Sequence, residues 1–251
     1  MMKTKLSALY AETKILLRSI PATVVTLFAV SVVCMNLLAN KTIVQLDWLA
    51  LDGGMLISWL SFMCMDIITK HFGPKASTII SIHAALINLL TCLIFFTVSA
   101  IPSHAADYAA FDSIFGGTWF VLLGSTVAFL ASAVIYSVLN HTIGKCFRRN
   151  PDGKLAHAMR TYVSTFIGQF CDNFIFSLLV FTVFAPIFWD GFSWTLLQCA
   201  MCALTGAVAE LVMGVIFSPI GYHITQKWRD ERVGEAYFQH IAQAAEREKE
   251  A

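Results

Sequence analysis

The chain has 251 residues, of which 57% are hydrophobic and only 13% charged, with a mean hydropathy of +0.70. A water-soluble surface needs roughly a quarter charged residues, so a soluble globule, a disordered chain and a collagen-like repeat are all excluded. The net charge of +1 is uninformative as a sum, and no basic cluster interleaved with aromatics points to nucleic acid.

A bilayer core about 30 Å thick needs about 20 apolar residues in a helix. Six stretches qualify: 20–38, 53–69, 76–101, 118–140, 162–188 and 194–225. The first is too long for a signal peptide and lacks a small-x-small cleavage site after it, so it reads as a retained helix. Residues 1–19 form an N-terminal cytoplasmic segment, 20–225 a six-helix transmembrane domain, and 226–251 a charged cytoplasmic tail, expected to be a frayed helix. Pro102 and the Gly116-Gly117 pair mark an outer loop, and Asn150-Pro151-Asp152-Gly153 a turn in a basic inner loop. Trp48, Trp119, Trp189 and Trp194 sit where an aromatic belt would place them.

Orientation follows from Lys and Arg. The N-terminal segment, the loops after spans two and four, and the tail hold 16 of them; the other three loops hold only Lys41. Both termini are therefore expected in the cytoplasm. The fold expectation is all-α, a polytopic membrane protein with six transmembrane helices. Seven cysteines lie in apolar stretches or, for Cys146, a basic loop, so no disulfide is expected. Cys199 and Cys202 form a CxxC inside an apolar helix with no second pair, which favours packing over metal or redox chemistry.

A charge in hydrocarbon costs at least about 2.5–3.5 kcal/mol, so each ionisable group in a span is a functional candidate. Span two carries Trp59, Phe62, Asp66 and Lys70 on one helical face, the last two as an i,i+4 pair. Span five carries Gln169, Asp172, Asn173 and Phe176, with Asp172 about 15 Å from the inner end at 1.5 Å per residue. Span six flanks Glu210 with Gly206 and Gly214, which would leave a notch around the carboxylate. Asn36 and Asn40 end span one; His83 and Asn88 lie in span three. Helix glue is the competing explanation for each. Gly124 and Ala128 could mark either a helix interface between copies or internal packing.

No P-loop, zincin motif or nucleophile elbow occurs, so no enzyme activity, catalytic residue, metal or cofactor is expected. Carboxylates and amides among Phe, Trp and Met suit a flat polar heterocycle. A carboxylate accepts two parallel N–H bonds from an N1–H and 2-amino edge, amides serve ring carbonyl and nitrogen, and aromatic rings stack on the faces. A guanine-like ligand is compatible with that set but is not selected by it.

Residues 65–76, MDIITKHFGPKA, and 160–176, RTYVSTFIGQFCDNFIF, resemble the two signatures of the queuosine precursor transporter family, also called the vitamin uptake transporter family. In the second, Arg160, Ser164, Gln169, Asp172 and Phe176 follow the signature order; Asn40-Lys41, Pro219 and Tyr222 also fit. The resemblance implies a bacterial inner-membrane, multi-pass importer of 7-cyano-7-deazaguanine, 7-aminomethyl-7-deazaguanine or queuine, feeding tRNA modification. It implies a fold similar to the substrate-binding subunits of energy-coupling-factor transporters. Many relatives carry an acid where this chain has Lys70, and a lysine near Glu210; the exchange hints that spans two and six face each other.

On this reading Asp172 holds the 2-amino edge, with Glu210 or Asp66 as second acid. Gln169, Asn173 and Asn36 supply amide contacts, and Phe62, Phe176 and Trp59 apolar walls. Arg160, Lys70 and Asn40 are structural or gating residues. The expected partners are the 7-deazaguanine ligand and the lipid bilayer, without nucleic acid; homo-oligomerisation and pairing with an ATPase module are left open. The alternatives are a substrate-binding subunit that needs a separate ATPase module, a carrier of another vitamin-like solute, and a structural membrane protein.

Overall fold

A computed structural model describes residues 2–103, 108–146, 154–189 and 191–250. All six apolar stretches fall on helices. Helix α1 spans Met2–Ser19 and α2 Ala22–Leu38, with a bend of 105° between Tyr10–Ser19 and Ala22–Leu38. Pro21 sits in the break, where its ring disfavours helical backbone in the residue before it. Helices α3 (Met55–Phe72), α4 (Pro74–Ser99), α5 (Ala109–Cys146) and α6 (Lys154–Ser177) follow. Helix α6 runs into a π-helical segment at Leu178–Phe184, then α7 (Ala185–Phe188), α8 (Leu196–Asp230) and α9 (Glu235–Glu250). Pro186 lacks an N–H and crowds the carbonyl four residues back, which accounts for the widened helical turn before it.

Four of these helices, at Pro74–Ser99, Ala109–Ser132, Phe166–Phe188 and Leu196–Phe217, are individually long and apolar enough to cross a membrane. The bent pair makes a fifth if it counts as one span. Taken alone, α2 has 17 residues, while α3 has 18 and includes Asp66 and Lys70. The chain is thus a multi-pass, predominantly helical membrane protein.

The sequence did not announce a short antiparallel hairpin, β1 (Thr42–Gln45) with β2 (Ala50–Asp52), between α2 and α3. Gly53 and Gly54 close it at very short range. A Cβ on Gly53 would lie 2.6 Å from the Leu38 carbonyl oxygen, and one on Gly54 2.8 Å from that of Met35. Thr195 and Gln198 form a capping box at the start of α8. The Thr195 N–H donates to Gln198 Oε1 at 2.8 Å, and the Gln198 N–H to Thr195 Oγ1 at 3.2 Å. The Gln198 amide also donates to the Leu46 carbonyl at 2.7 Å, fastening the hairpin.

Three expectations change. Gly116 and Gly117 lie in α5, not in a loop; Gly116 allows close approach, since a Cβ there would sit 3.2 Å from Ser99 Cβ. Trp194 is 2% exposed and stacks on Phe181 at 3.9 Å, so it belongs to the core, not to an interfacial belt. The tail is not frayed where it leaves α8: Tyr237 of α9 is fully buried. The basic loop around Arg148, Arg149 and the 150–153 turn lies outside the described residues.

The chain divides into two compact units. One comprises Met1–Val32, Trp59–Ile87 and Gly214–Ala251; the other comprises Val33–Ser58 and Asn88–Met213. The first unit has a core of Leu16, Ile20, Phe28, Ile67, Ile68, Phe72, Ile80, Trp228 and Tyr237. In it Trp59 stacks on Phe217 at 4.4 Å, and Gly221 lies against Ile67, so α3 and α8 do face each other there. The second unit has a core of Phe120, Val121, Val180, Phe181, Trp194, Cys199 and Cys202. Gly124 admits Val180, whose Cγ2 would lie 2.6 Å from a Cβ at that position, so this small residue serves internal packing.

Candidate functional site

The second unit gathers polar groups from several helices into an apolar surround. Asp172 on α6 accepts a hydrogen bond of 3.0 Å from Ser132 Oγ on α5. Its neighbour Asn173 turns toward α8, where a Cβ on Gly206 would lie 2.6 Å from Asn173 Nδ2. One turn further along α8, the Glu210 carboxylate lies beside the Asn173 amide and close enough to Asp172 for the two charges to interact. Glu210 is 9% exposed. Met55, at the start of α3, reaches the same place: its Cε would be 3.5 Å from a Cβ at Gly206, and its sulfur is 4.0 Å from Cys202 Sγ.

The Asn173 amide and the Glu210 carboxylate face each other, and Ser177 Oγ faces Cys202. Elsewhere in the unit Nδ2 of Asn36 and of Asn88 are buried without a hydrogen-bond partner. Asn36 and Asn88 are each only 2% exposed. An unsatisfied buried polar group costs about 1–3 kcal/mol. Apolar residues of similar size would avoid that cost, so each such group serves either as interhelical glue or as a ligand contact. Amide N–H groups and carboxylate oxygens complement one another, and equally a ligand that carries both kinds of group.

The sequence-derived residues divide between the units. Asp172, Asn173 and Glu210 lie together in the second unit. Gln169 lies one turn earlier on α6, half-buried. Phe176 packs on the second-unit core and meets Phe181 edge-on at 6.2 Å. Asn40 caps α2, its amide donating to the carbonyls of Leu37 at 3.0 Å and Asn36 at 3.3 Å. Trp59, Phe62, Asp66 and Lys70 belong to the first unit. There Lys70 pairs with Asp66 at 2.6 Å, both side chains about half exposed (47% and 49%), a geometry worth a few tenths of a kcal/mol. Arg160 lies in α6, its side chain outside the described ones. Among the described residues no group of three or more His, Cys, Asp or Glu is placed to hold a metal.

Two participants were not singled out beforehand. Ser132 is one of seven Ser and Thr residues in α5, and nothing in the sequence distinguishes it from the others. Asp52 closes the hairpin, where its Oδ1 accepts the Gly54 N–H at 2.7 Å. It is 5% exposed, and burial pushes its carboxyl up to about 6 against the opposing pull of the Gly54 and Met55 N–H groups.

The sequence matches the family model described as "Putative vitamin uptake transporter" over residues 52–224, more than half of the chain. The chain belongs to this vitamin uptake transporter family. No curated protein and no solved structure matches it. The matched residues include Met55, Ser132, Asp172, Asn173, Gly206 and Glu210.

Proposed function

We propose that this family member imports 7-deazaguanine precursors of queuosine across the bacterial inner membrane, through six spans with both termini in the cytoplasm. The reading rests first on the meeting of Asp172, Asn173 and Glu210, two acids and an amide from two apolar helices. A 7-deazaguanine presents an N1–H and a 2-amino group on one edge and a carbonyl beside them. A carboxylate accepts the two N–H groups in parallel, and an amide N–H donates to the carbonyl. Asp172, already oriented by Ser132, takes the 2-amino edge. Asn173 serves the carbonyl, and Glu210 accepts from the pyrrole N–H. Phe176 supplies apolar surface. The signature-like segments at 65–76 and 160–176 supply the choice of a queuosine precursor over other vitamin-like solutes.

The test is queuosine in the tRNA of a host that can neither make nor import the precursors. Expression of this chain with low external 7-cyano-7-deazaguanine, 7-aminomethyl-7-deazaguanine or queuine restores the modification. Asp172→Asn at equal membrane abundance loses it. No restoration with any of the three, at normal abundance, contradicts the reading.

A further inference from the structure

The first unit contains a recess of its own. It is an open cleft of about 570 Å³ formed by the end of α3, the end of α8 and one face of α9. Lys70, Arg229 and Arg232 line it, with His71, Phe238 and Glu235. Three cations and one carboxylate line it, with Asp230 and Glu231 lying between the two arginines in sequence. Lys70 is partly compensated by Asp66. Arg229 and Arg232 make no ion pair with any carboxylate among the described residues.

The cleft is built, not merely basic. His71 Nε2 is 2.9 Å from the Val233 carbonyl oxygen, and its ring packs edge-on against Phe72, Trp228 and Phe238. Its Nδ1 is buried without a partner. Arg232 holds a left-handed backbone, φ 53°. That conformation is costly for a side chain other than Gly, Asn or Asp, and such outliers cluster at binding sites. Gly234, two residues on, completes the turn at φ 84°. The strain keeps an arginine at the rim where a glycine would relieve it.

Two guanidinium groups beside an ammonium match a tetrahedral oxyanion with several acceptor oxygens better than a single carboxylate, because arginine binds phosphate bidentately. The volume exceeds that of a bare phosphate, and Trp228 and Phe238 add apolar wall. Lys70 and His71 also lie just before Pro74, where an apolar helix long enough to cross the membrane begins. Basic side chains at that level meet phospholipid headgroups. We propose that this cleft binds a phosphate-bearing anion at the membrane surface, the Arg229 and Arg232 guanidinium groups holding the phosphate oxygens. The phosphate comes either from an anionic phospholipid headgroup or from a soluble phosphate.

The experiment uses the full chain in phosphatidylcholine nanodiscs. Native mass spectrometry and the unfolding midpoint are followed while short-chain phosphatidylglycerol is added, and separately inorganic phosphate or glycerol phosphate. A ligand that binds only the folded state at free concentration L raises the midpoint, by RT ln(1 + L/Kd) in free energy, while the mass spectra report saturation. The expected result is a saturable response at one bound molecule per chain, weakened about tenfold or more in Arg229→Gln/Arg232→Gln. Lys41→Gln/Lys227→Gln removes the same charge outside the cleft and retains the response. Response to the lipid alone assigns the headgroup; response to the soluble phosphates assigns a free anion. Should the arginine variant not fold, wild-type mass spectra decide: no retained phosphatidylglycerol and no phosphate adduct overturns the proposal. Equal loss in both double variants overturns it too, since charge alone would then explain the effect.

Discussion

Ser132 donates a 3.0 Å hydrogen bond to Asp172 Oδ1 and so joins α5 to α6 at the carboxylate most central to the proposed site. It leaves Oδ2 and the second lone pair of Oδ1 to accept the two parallel N–H groups. A hydrogen bond to a charged group is worth about 1.5–3 kcal/mol. Ser132→Ala is therefore expected to weaken 7-deazaguanine binding about tenfold or more while leaving membrane abundance unchanged. Ser132→Thr keeps the hydroxyl and is expected to retain most of the affinity. Equal binding by wild type and Ser132→Ala in a radioligand assay would remove this hydrogen bond from the account.

Gly206 and Gly214 flank Glu210 symmetrically in sequence but not in space. A methyl group on Gly206 would lie 2.6 Å from Asn173 Nδ2, whereas nothing lies within 4 Å of one on Gly214. Gly206→Ala is expected to displace the Asn173 amide and abolish most uptake. Gly214→Ala should leave uptake near wild type, within the roughly 0.5 kcal/mol usual for unobstructed sites. Paired uptake measurements at matched expression check the contrast.

Asp52 links hairpin geometry to pH. Its carboxyl is raised from 3.8 to about 6, so between those values the folded chain holds a proton that the unfolded chain releases. Stability from this group is present below the ordinary carboxyl range, falls as pH rises toward about 6, and is flat above it. Asp52→Asn keeps the acceptor for the Gly54 N–H and is expected to raise the unfolding midpoint at neutral pH with little change near pH 4. Asp52→Ala leaves that N–H unpaired and is expected to lower the midpoint at both. Unfolding followed in detergent at the two pH values separates the cases.

Gly234 carries the turn into α9. Its φ is 84°, and a Cβ there would collide with the Phe72 ring. Gly234→Ala is expected to cost about 1–3 kcal/mol and to release α9 from Phe72 and Trp228. Faster cleavage of the tail in limited proteolysis checks this; unchanged cleavage contradicts it.

Much of this was readable from the residues in order. The apolar stretches are helices because membrane-length apolar runs have few other ways to satisfy their backbone. Asp172 and Glu210 stood out because acids are rare in such runs. Asn173 and Glu210 were found individually, but their meeting depends on Gly206, whose small size only matters once α6 lies against α8. Two features were not legible. The hairpin at Thr42–Asp52 is too short to show a strand pattern, and its closure relies on Gly53 and Gly54 fitting under the Leu38 and Met35 carbonyls. The burial of Trp194 depends on the π-helical segment that carries Phe181 beneath it. Asp66, an acid on the same helical face as Trp59, looked equivalent to Glu210 in sequence. Its i,i+4 spacing to Lys70 was legible in sequence; its half exposure emerged only in three dimensions.

The most direct measurement is equilibrium binding of 7-cyano-7-deazaguanine and 7-aminomethyl-7-deazaguanine to the purified chain, beside Asp172→Asn and Glu210→Gln. The account predicts saturable binding by the wild type. It predicts at least about a tenfold loss for each variant, and no binding of the isosteric analogue that lacks the 2-amino group. Binding that is absent in the wild type, or undiminished in both variants, would contradict a deazaguanine site built on Asp172 and Glu210.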